Sequence, residues 1–179
     1  MPSQTSLLGA AGEHHVMSQL LLRGYIAALA PQGVPTADII VTDQKGERAC
    51  SIQVKSRRDK GRDGGWHMKA KHEETKSERL FYCFVDFGKI PDAAPVVYVM
   101  RSVDVAKALS ESYQKWLSYP GKRGTPHKAN DMRRLRPDYE DTFGSSDHPY
   151  LKGWLDCYRD RWDLLQLDRF TVEQEVESC

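Results

Sequence analysis

The 179-residue chain lacks the features that mark membrane and secreted proteins. It contains no uninterrupted apolar run of about eighteen residues, the minimum that a membrane-spanning helix needs. Its first residues do not combine a basic segment with a following hydrophobic one, as a secretory leader does. We therefore expect a cytoplasmic protein, built as a single domain over residues 1–179 that buries its own core.

Cysteine is scarce, with four residues in the chain: Cys50, Cys83, Cys157 and Cys179. They are far apart in the sequence, and none falls in the Cys-x-x-Cys or Cys/His spacing of a zinc site. Cys50 and Cys83 lie in apolar, strand-like segments, where a reduced thiol packs as a small hydrophobic group. The sequence therefore disfavours both a disulfide framework and a zinc centre.

Net charge is also small, at +1, but the charges are segregated along the chain. Residues 55–79 carry nine Lys and Arg against five Asp and Glu, residues 115–136 carry seven against one, and residues 137–179 carry four against eleven. A basic stretch attracts phosphates, so the first two stretches predict contacts with nucleic acid. The alternative is that they are solvated loops whose charge has no partner.

The candidate nucleic-acid contacts are the cations of these stretches: Arg57, Arg58, Lys60, Arg62, Lys69, Lys71, Lys128, Arg133 and Arg134. Residues 59–77 contain three glycines among alternating charges, which indicates an exposed, mobile loop leading into a short helix. Within it, Trp66 could stack on an unpaired base.

Hydrophobic periodicity predicts an α/β fold in which helices flank a mixed sheet of about four or five strands. The predicted helices cover residues 12–24, 103–117 and 154–167, and the predicted strands cover residues 25–29, 39–41, 52–54, 80–87 and 96–101. We expect residues 1–118 to form the core. Residues 119–179 would then add a basic loop, a C-terminal helix and an acidic tail.

A predicted β-hairpin brings two polar residues together. A turn centred on Lys45 and Gly46 would join the second and third strands, with glycine supplying the positive φ that such turns need. Asp38 and Gln53 are equally far from this turn, so they should face each other across the hairpin. Because side chains alternate along a strand, Lys55 shares a face with Gln53.

Glu13 lies on the apolar stripe that Val16 and Leu20 form in the first predicted helix. A carboxylate on a buried stripe is costly unless a cation or a donor meets it, so Glu13 points to a site. Alternatively, it merely occupies the first helical turn, where acidic residues interact favourably with the helix dipole.

Together these residues suit phosphodiester hydrolysis assisted by Mg²⁺ or Mn²⁺. Asp38 would anchor the cation, the side-chain oxygen of Gln53 and the carbonyl of Val54 would complete its inner shell, and Glu13 would act through water or hold a second metal. Lys55 would orient the attacking water or offset charge on the phosphate. The alternative is that Asp38 and Gln53 form an ordinary cross-strand polar pair and Lys55 is a solvated strand residue.

The order of Glu13, Asp38, Gln53 and Lys55 along helix, strand and hairpin strand resembles the PD-(D/E)XK nuclease superfamily, in particular its Holliday-junction resolvase-like and Mrr-like branches. The resemblance covers about residues 9–101 and implies a restriction-endonuclease-like core and Mg²⁺-dependent cleavage of DNA or RNA. It departs from the pattern at Gln53, where a carboxylate is usual, and at Ala37, where proline is usual.

From this resemblance we expect an endonuclease that acts on DNA more than RNA. A homodimer would supply a cut in each of two strands. Because a neutral amide holds a divalent cation less strongly than a carboxylate, the alternative is a nuclease-like domain that binds nucleic acid or a protein partner without cutting.

Overall fold

The computed structural model describes residues 3–31, 33–59, 64–90, 92–121, 124–140 and 148–167. Its elements are α1 (Gln4–Leu22), β1 (Ile26–Leu29), β2 (Ile39–Thr42), β3 (Ala49–Arg57), β4 (Trp66–Lys69), α2 (Lys71–Glu74), β5 (Leu80–Asp86), β6 (Val96–Arg101), α3 (Ser102–Ser118) and β7 (Met132–Leu135). Two short 3₁₀ turns follow, at Asp156–Tyr158 and Trp162–Leu165. In the part of the chain that is described, no helix is long and apolar enough to cross a membrane.

Five strands form one mixed sheet in the order β1-β2-β3-β5-β6. The β1–β2, β2–β3 and β5–β6 pairs are antiparallel, and β3–β5 is parallel. The connection from β3 to β5 contains β4 and α2, as a parallel pair requires a crossover. The predicted α/β architecture, a mixed sheet flanked by helices, is confirmed.

The sheet separates two hydrophobic clusters. On one face, Val16 and Leu20 of α1 pack against Ile39 and Ile52, and all four are fully buried. On the other face, α3 contributes Val105 and Leu109, among other residues, against the even-numbered side chains of β5. Alternation along β5 therefore sends successive side chains to different cores.

Helix α1 begins at Gln4, eight residues before the predicted start. The side chain of Ser3 accepts a hydrogen bond from the backbone N–H of Ser6 at 3.1 Å, which caps the first turn. The predicted end near Gly24 is correct, because Gly24 has a φ of +83° just after the helix. Leu21, which follows the buried Leu20, is 51% exposed and lies off the stripe.

The predicted C-terminal helix over residues 154–167 is wrong. The chain there forms two 3₁₀ turns. Asp160 and Gln166 adopt positive φ values, which are incompatible with a continuous right-handed helix. Leu155 packs in the hydrophobic cluster on the side of the sheet that α3 covers, whereas Trp162 packs in the cluster on the side that α1 covers. The segment therefore passes from one face of the sheet to the other. The N–H of Asp160 bonds to the carbonyl of Val97 in β6 at 2.9 Å, which places this crossing at the edge of the sheet.

The predicted exposed loop over residues 59–77 is also corrected. Its centre forms β4, which pairs antiparallel with β7 in a second, two-stranded sheet. Trp66 is 1% exposed, and its indole N–H donates to the carbonyl of Val85 at 3.1 Å, so it is a core residue and offers no ring to a base. The pairing brings the two basic stretches side by side, a relationship that the sequence did not reveal.

Candidate active site

The hairpin that carries the candidate residues has the predicted register. Ile39 pairs with Ile52 and Thr42 with Ala49, while Gly46 in the turn has a φ of +73°. Asp38 directly precedes β2, and its backbone N–H bonds to the carbonyl of Ile52 at 2.9 Å. The continued register therefore places Asp38 opposite Gln53.

The carboxylate of Asp38 bonds to the backbone of the neighbouring strand, and not to the Gln53 side chain. Its Oδ2 atom accepts a hydrogen bond from the N–H of Val54 at 2.7 Å. Among the described residues, the second oxygen of this half-buried carboxylate has no hydrogen-bond donor. Asp38 is therefore fixed through one oxygen while the other remains available to a ligand.

Gln53 is largely buried, but its amide group is not sealed from solvent. The residue is 7% exposed, and within the described part of the chain its side chain makes no hydrogen bond. The amide oxygen is therefore open to a ligand or cation, as the metal-ligand prediction requires.

Gly12 allows α1 to lie against β3 and brings Glu13 to the site. A Cβ atom at Gly12 would lie 1.8 Å from Oγ of Ser56 and 3.4 Å from a methyl carbon of Val54. Only glycine therefore permits this approach of helix to strand. Glu13, the next residue, is half-buried and close enough to Asp38 for the two charges to interact.

Electrostatic effects join Glu13, Asp38 and Lys55 in one cluster. Burial, and secondly the negative charge of Asp38, raise the pKa of Glu13, whereas the charges of His14 and Lys55 act against this rise. Burial lowers the pKa of Lys55, and the two carboxylates oppose that shift. Two neighbouring carboxylates that are partly removed from water form a place where a cation is favoured.

The donor set of this cluster fits a hard divalent cation. It offers two carboxylates, the Gln53 amide oxygen and the backbone carbonyl of Val54, and oxygen ligands of this kind suit Mg²⁺ and Mn²⁺. The number of charged ligands is low. No group of three His, Cys, Asp or Glu side chains suited to a metal occurs in the described part of the chain.

Sequence reasoning missed two residues that wall the site, Tyr82 and His72. Tyr82 lies beside Gln53 in the parallel β3–β5 register, and its hydroxyl is 2.8 Å from Nδ1 of His72. Burial and the charge of Asp38 raise the pKa of Tyr82 to about 12. Burial, Lys55 and Lys71 lower the pKa of His72 to about 4, so its ring is neutral at pH 7.

The sequence contains no pattern that would have identified this pair. Tyr82 sits in the uniformly apolar run of β5, and His72 sits in a charged segment that reads as a loop. Their proximity follows from the parallel strand pairing and from the four-residue helix α2.

Comparison with known proteins supports the fold. No protein-family model and no curated protein matches the chain. Among solved structures, the bacterial homing endonuclease I-Ssp6803I superposes with a TM-score of 0.53 over 92% of this chain and 95% of its own, at 14% identity. The protein has a restriction-endonuclease-like fold. The Holliday junction resolvase Hjc of Archaeoglobus fulgidus matches with a TM-score of 0.36 over 76% of this chain and 87% of its own, at 14% identity.

Within this restriction-endonuclease-like fold, two of the predicted nucleic-acid contacts are buried in ion pairs. Nε of Arg57 donates to Asp86 at 3.0 Å, and its guanidinium lies 4.6 Å from the centre of the Trp66 ring. Arg133 is paired with Glu73 and is 8% exposed. Both guanidinium groups are therefore engaged within the fold, and their contact with nucleic acid stays a prediction.

The other predicted contacts differ in exposure. Lys69, Lys71 and Lys128 are exposed. Arg58 and Arg134 are half-buried, and the guanidinium of Arg58 lies 6.0 Å from the centre of the Phe87 ring. Lys60 and Arg62 lie outside the described residues.

Proposed function

We propose that the protein is a Mg²⁺- or Mn²⁺-dependent endonuclease that hydrolyses phosphodiester bonds in DNA. The observation that carries this proposal is the electrostatic cluster of Glu13, Asp38 and Lys55 beside the Gln53 amide, which makes no hydrogen bond to a described residue. The similarity of the fold to a homing endonuclease supports DNA as the substrate.

In the proposed site, Asp38 would hold the cation through the oxygen that does not accept from Val54. The Gln53 side-chain oxygen and the Val54 carbonyl would add neutral ligands, and Glu13 would bind directly or through water. The bound cation would neutralise the scissile phosphate and lower the pKa of the attacking water. Lys55 would orient that water or offset charge that develops on the phosphate.

Lys55 is suited to this role by its surroundings. Burial lowers the pKa of Lys55, and the negative charges of Asp38 and Glu13 oppose that shift. A phosphate that enters the site would add negative charge and favour the ammonium form.

A second function is favoured by the presence of Gln53, which leaves the site with two carboxylates. Such a site binds Mg²⁺ more weakly than one with three, and the protein would then bind nucleic acid or a protein partner without cutting. DNA binding that weakens with salt, in the absence of any cleavage, is the result that would favour this function.

Cleavage assays separate these functions. Supercoiled, linear and branched DNA, and RNA of matched sequence, are incubated with the protein and Mg²⁺, Mn²⁺ or Ca²⁺. We expect cleavage of DNA with the first two ions and its loss in Asp38→Ala and Lys55→Ala. The matched control is Lys89→Ala, since Lys89 is a surface lysine whose side chain is 78% exposed.

The outcome depends on the comparison among variants. If Asp38→Ala and Lys55→Ala cut as fast as the wild type and Lys89→Ala, the cleavage comes from a contaminant and the proposal fails. Gel filtration of the same preparations with and without DNA tests the expected homodimer, which stays a prediction.

A further inference from the structure

The two-stranded sheet of β4 and β7 packs on the protein through one face only. Along β4, buried and exposed side chains alternate, beginning with the buried Trp66. The antiparallel register pairs Met68 with Arg133, which are both buried, and Lys69 with Met132, which are both exposed. Because side chains alternate along a strand, the two strands share a buried inner face and an outer face in solvent. We call this pair of strands the β4–β7 ribbon.

The inner face holds the ribbon in place. The indole N–H of Trp66 donates to the carbonyl of Val85 at 3.1 Å, and Leu135 is fully buried. The guanidinium of Arg133 pairs with Glu73 of α2. A partner that binds the outer face therefore meets a fixed surface, and little conformational entropy is lost on binding.

The outer face offers a cation and an apolar side chain. Lys69 is 70% exposed, and its partner Asp131, 3.9 Å away, is 65% exposed. An ion pair as exposed as this contributes little to stability, so a phosphate can replace Asp131 at low cost. Met132 is 58% exposed. His67 and Arg134 also lie on this face, but each has an interaction within the protein.

The chain continues from β4 into α2 and towards the candidate active site. Lys71, two residues after Lys69, is exposed, and its charge interacts with that of Lys55. The next residue, His72, walls the active site together with Tyr82. Lys71 therefore connects the positive charge of the outer face with that of the active site.

We propose that the outer face of the β4–β7 ribbon lies in the major groove of duplex DNA, with Lys69 on a phosphate and Met132 against thymine methyl groups. The major groove of B-form DNA admits a two-stranded β-ribbon, and the methyl group of thymine is exposed there. The positive charge of the ribbon complements the phosphates that border the groove.

This contact rests on the proposed function and narrows its substrate to B-form duplex DNA. The major groove of an RNA duplex is too deep and narrow for side chains to reach the bases. The ribbon therefore favours duplex DNA over duplex RNA.

Base analogues that change one groove at a time test this contact. Fluorescence anisotropy measures binding of the full-length protein, with Ca²⁺ in place of Mg²⁺, to a duplex of alternating A·T pairs. Deoxyuridine in place of thymidine removes a methyl group from the major groove, whereas diaminopurine in place of adenine adds an amino group to the minor groove.

We expect deoxyuridine to weaken binding about fourfold, which is the effect of one buried methyl group. Diaminopurine should leave the affinity within about twofold, because the minor groove is not contacted. An unchanged affinity for the deoxyuridine duplex, or a larger loss with diaminopurine than with deoxyuridine, would overturn the proposal.

Met132→Gln should abolish the discrimination between the thymidine and deoxyuridine duplexes. Leu22→Gln is the matched control and should keep it, since Leu22 is an apolar residue, 77% exposed, at the end of α1. Circular dichroism and thermal unfolding establish that both variants are folded. Discrimination that persists in a folded Met132→Gln variant would contradict the proposal, and the analogue comparison on the wild type stands without either variant.

Duplex RNA gives a further readout on the wild type. An RNA duplex of alternating A·U pairs is compared with the deoxyuridine DNA duplex, because both present the same bases in different helical forms. We expect the RNA to bind at least about tenfold more weakly. Equal affinities would overturn the proposal.

The two proposals can fail separately. Cleavage of DNA by a protein whose binding does not respond to deoxyuridine would reject the groove contact and leave the endonuclease intact. Binding that responds to deoxyuridine, without cleavage in Mg²⁺ or Mn²⁺, would reject the endonuclease and keep the groove contact.

Discussion

The carboxylate of Asp38 accepts a hydrogen bond from the backbone N–H of Val54 at 2.7 Å. This bond ties the residue that precedes β2 to the strand that carries Gln53 and Lys55. Asp38 therefore has a structural role, which needs one oxygen, and a proposed metal-binding role, which needs the other.

Two substitutions at Asp38 separate these roles. Asp38→Asn keeps an acceptor for the Val54 N–H, so we expect a small change in the free energy of unfolding. Asp38→Ala leaves this partly buried N–H unpaired and should lower that free energy by about 1–2 kcal/mol. Both should lose cleavage at least about a hundredfold, because neither retains the carboxylate charge. Urea denaturation and plasmid nicking measure the two effects, and wild-type nicking by Asp38→Asn would contradict the metal-binding role.

Gly12→Ala should separate α1 from β3. The new Cβ would meet Ser56 Oγ at 1.8 Å, so the Ser56 hydroxyl must rotate away, and the remaining contact with Ser56 Cβ at 3.1 Å pushes helix from strand, at a cost of about 1–3 kcal/mol. Cleavage should fall as well, because Glu13 moves with the helix. Gly9→Ala is the control: it lies in the same helix, a Cβ there would have no atom within 4 Å, and it should raise stability by about 0.5–1 kcal/mol. Thermal unfolding of the pair tests this contrast, and equal losses in both would contradict it.

The local part of the site was predictable from the sequence. Gly46 and the two apolar runs fixed the hairpin register, because strand side chains alternate and a turn sets which residues face each other. The stripe of Val16 and Leu20 likewise placed Glu13 towards the sheet, although α1 begins earlier than predicted.

The non-local part was not predictable. Trp66 pairs with Leu135 across 69 positions of sequence, and no local pattern encodes such a partner. The polar residues around Trp66 indicated a loop, because the strand is short and one of its faces is exposed. In the C-terminal segment, the spacing of Leu155 and Trp162 suits a helix, yet the two side chains pack on different faces of the sheet.

The pair of His72 and Tyr82 predicts a dependence of stability on pH. The pKa of His72 is about 4 in the folded protein and about 6.5 when unfolded. Between these values the unfolded chain binds a proton that the folded protein does not, so the free energy of unfolding falls as the pH falls from about 6.5 to 4. In His72→Gln this loss should be smaller, because the titrating group is gone. Urea denaturation of both proteins at several pH values measures the difference, and identical slopes would contradict it.

Gln53→Glu tests the weak point of the proposed metal site. A third carboxylate should tighten Mg²⁺ binding about tenfold, since a charged ligand holds a hard cation more strongly than an amide. Isothermal titration calorimetry measures the affinity, with Gln44→Glu in the exposed turn as the control for added negative charge. Equal affinity in Gln53→Glu and the wild type would show that residue 53 is not a ligand.

Arg57 and Lys69 should respond differently to loss of charge, although both lie in the first basic stretch. Arg57→Gln leaves Asp86 without its ion pair in a largely buried position and should cost about 2–4 kcal/mol of stability. Lys69 is 70% exposed, so Lys69→Gln should leave stability within about 0.5 kcal/mol. Its effect should instead be on DNA binding, where the slope of log K against log salt falls by about one. Anisotropy titrations at several salt concentrations, together with urea denaturation, measure both quantities. A stable Arg57→Gln variant with weakened DNA binding would return Arg57 to the nucleic-acid surface.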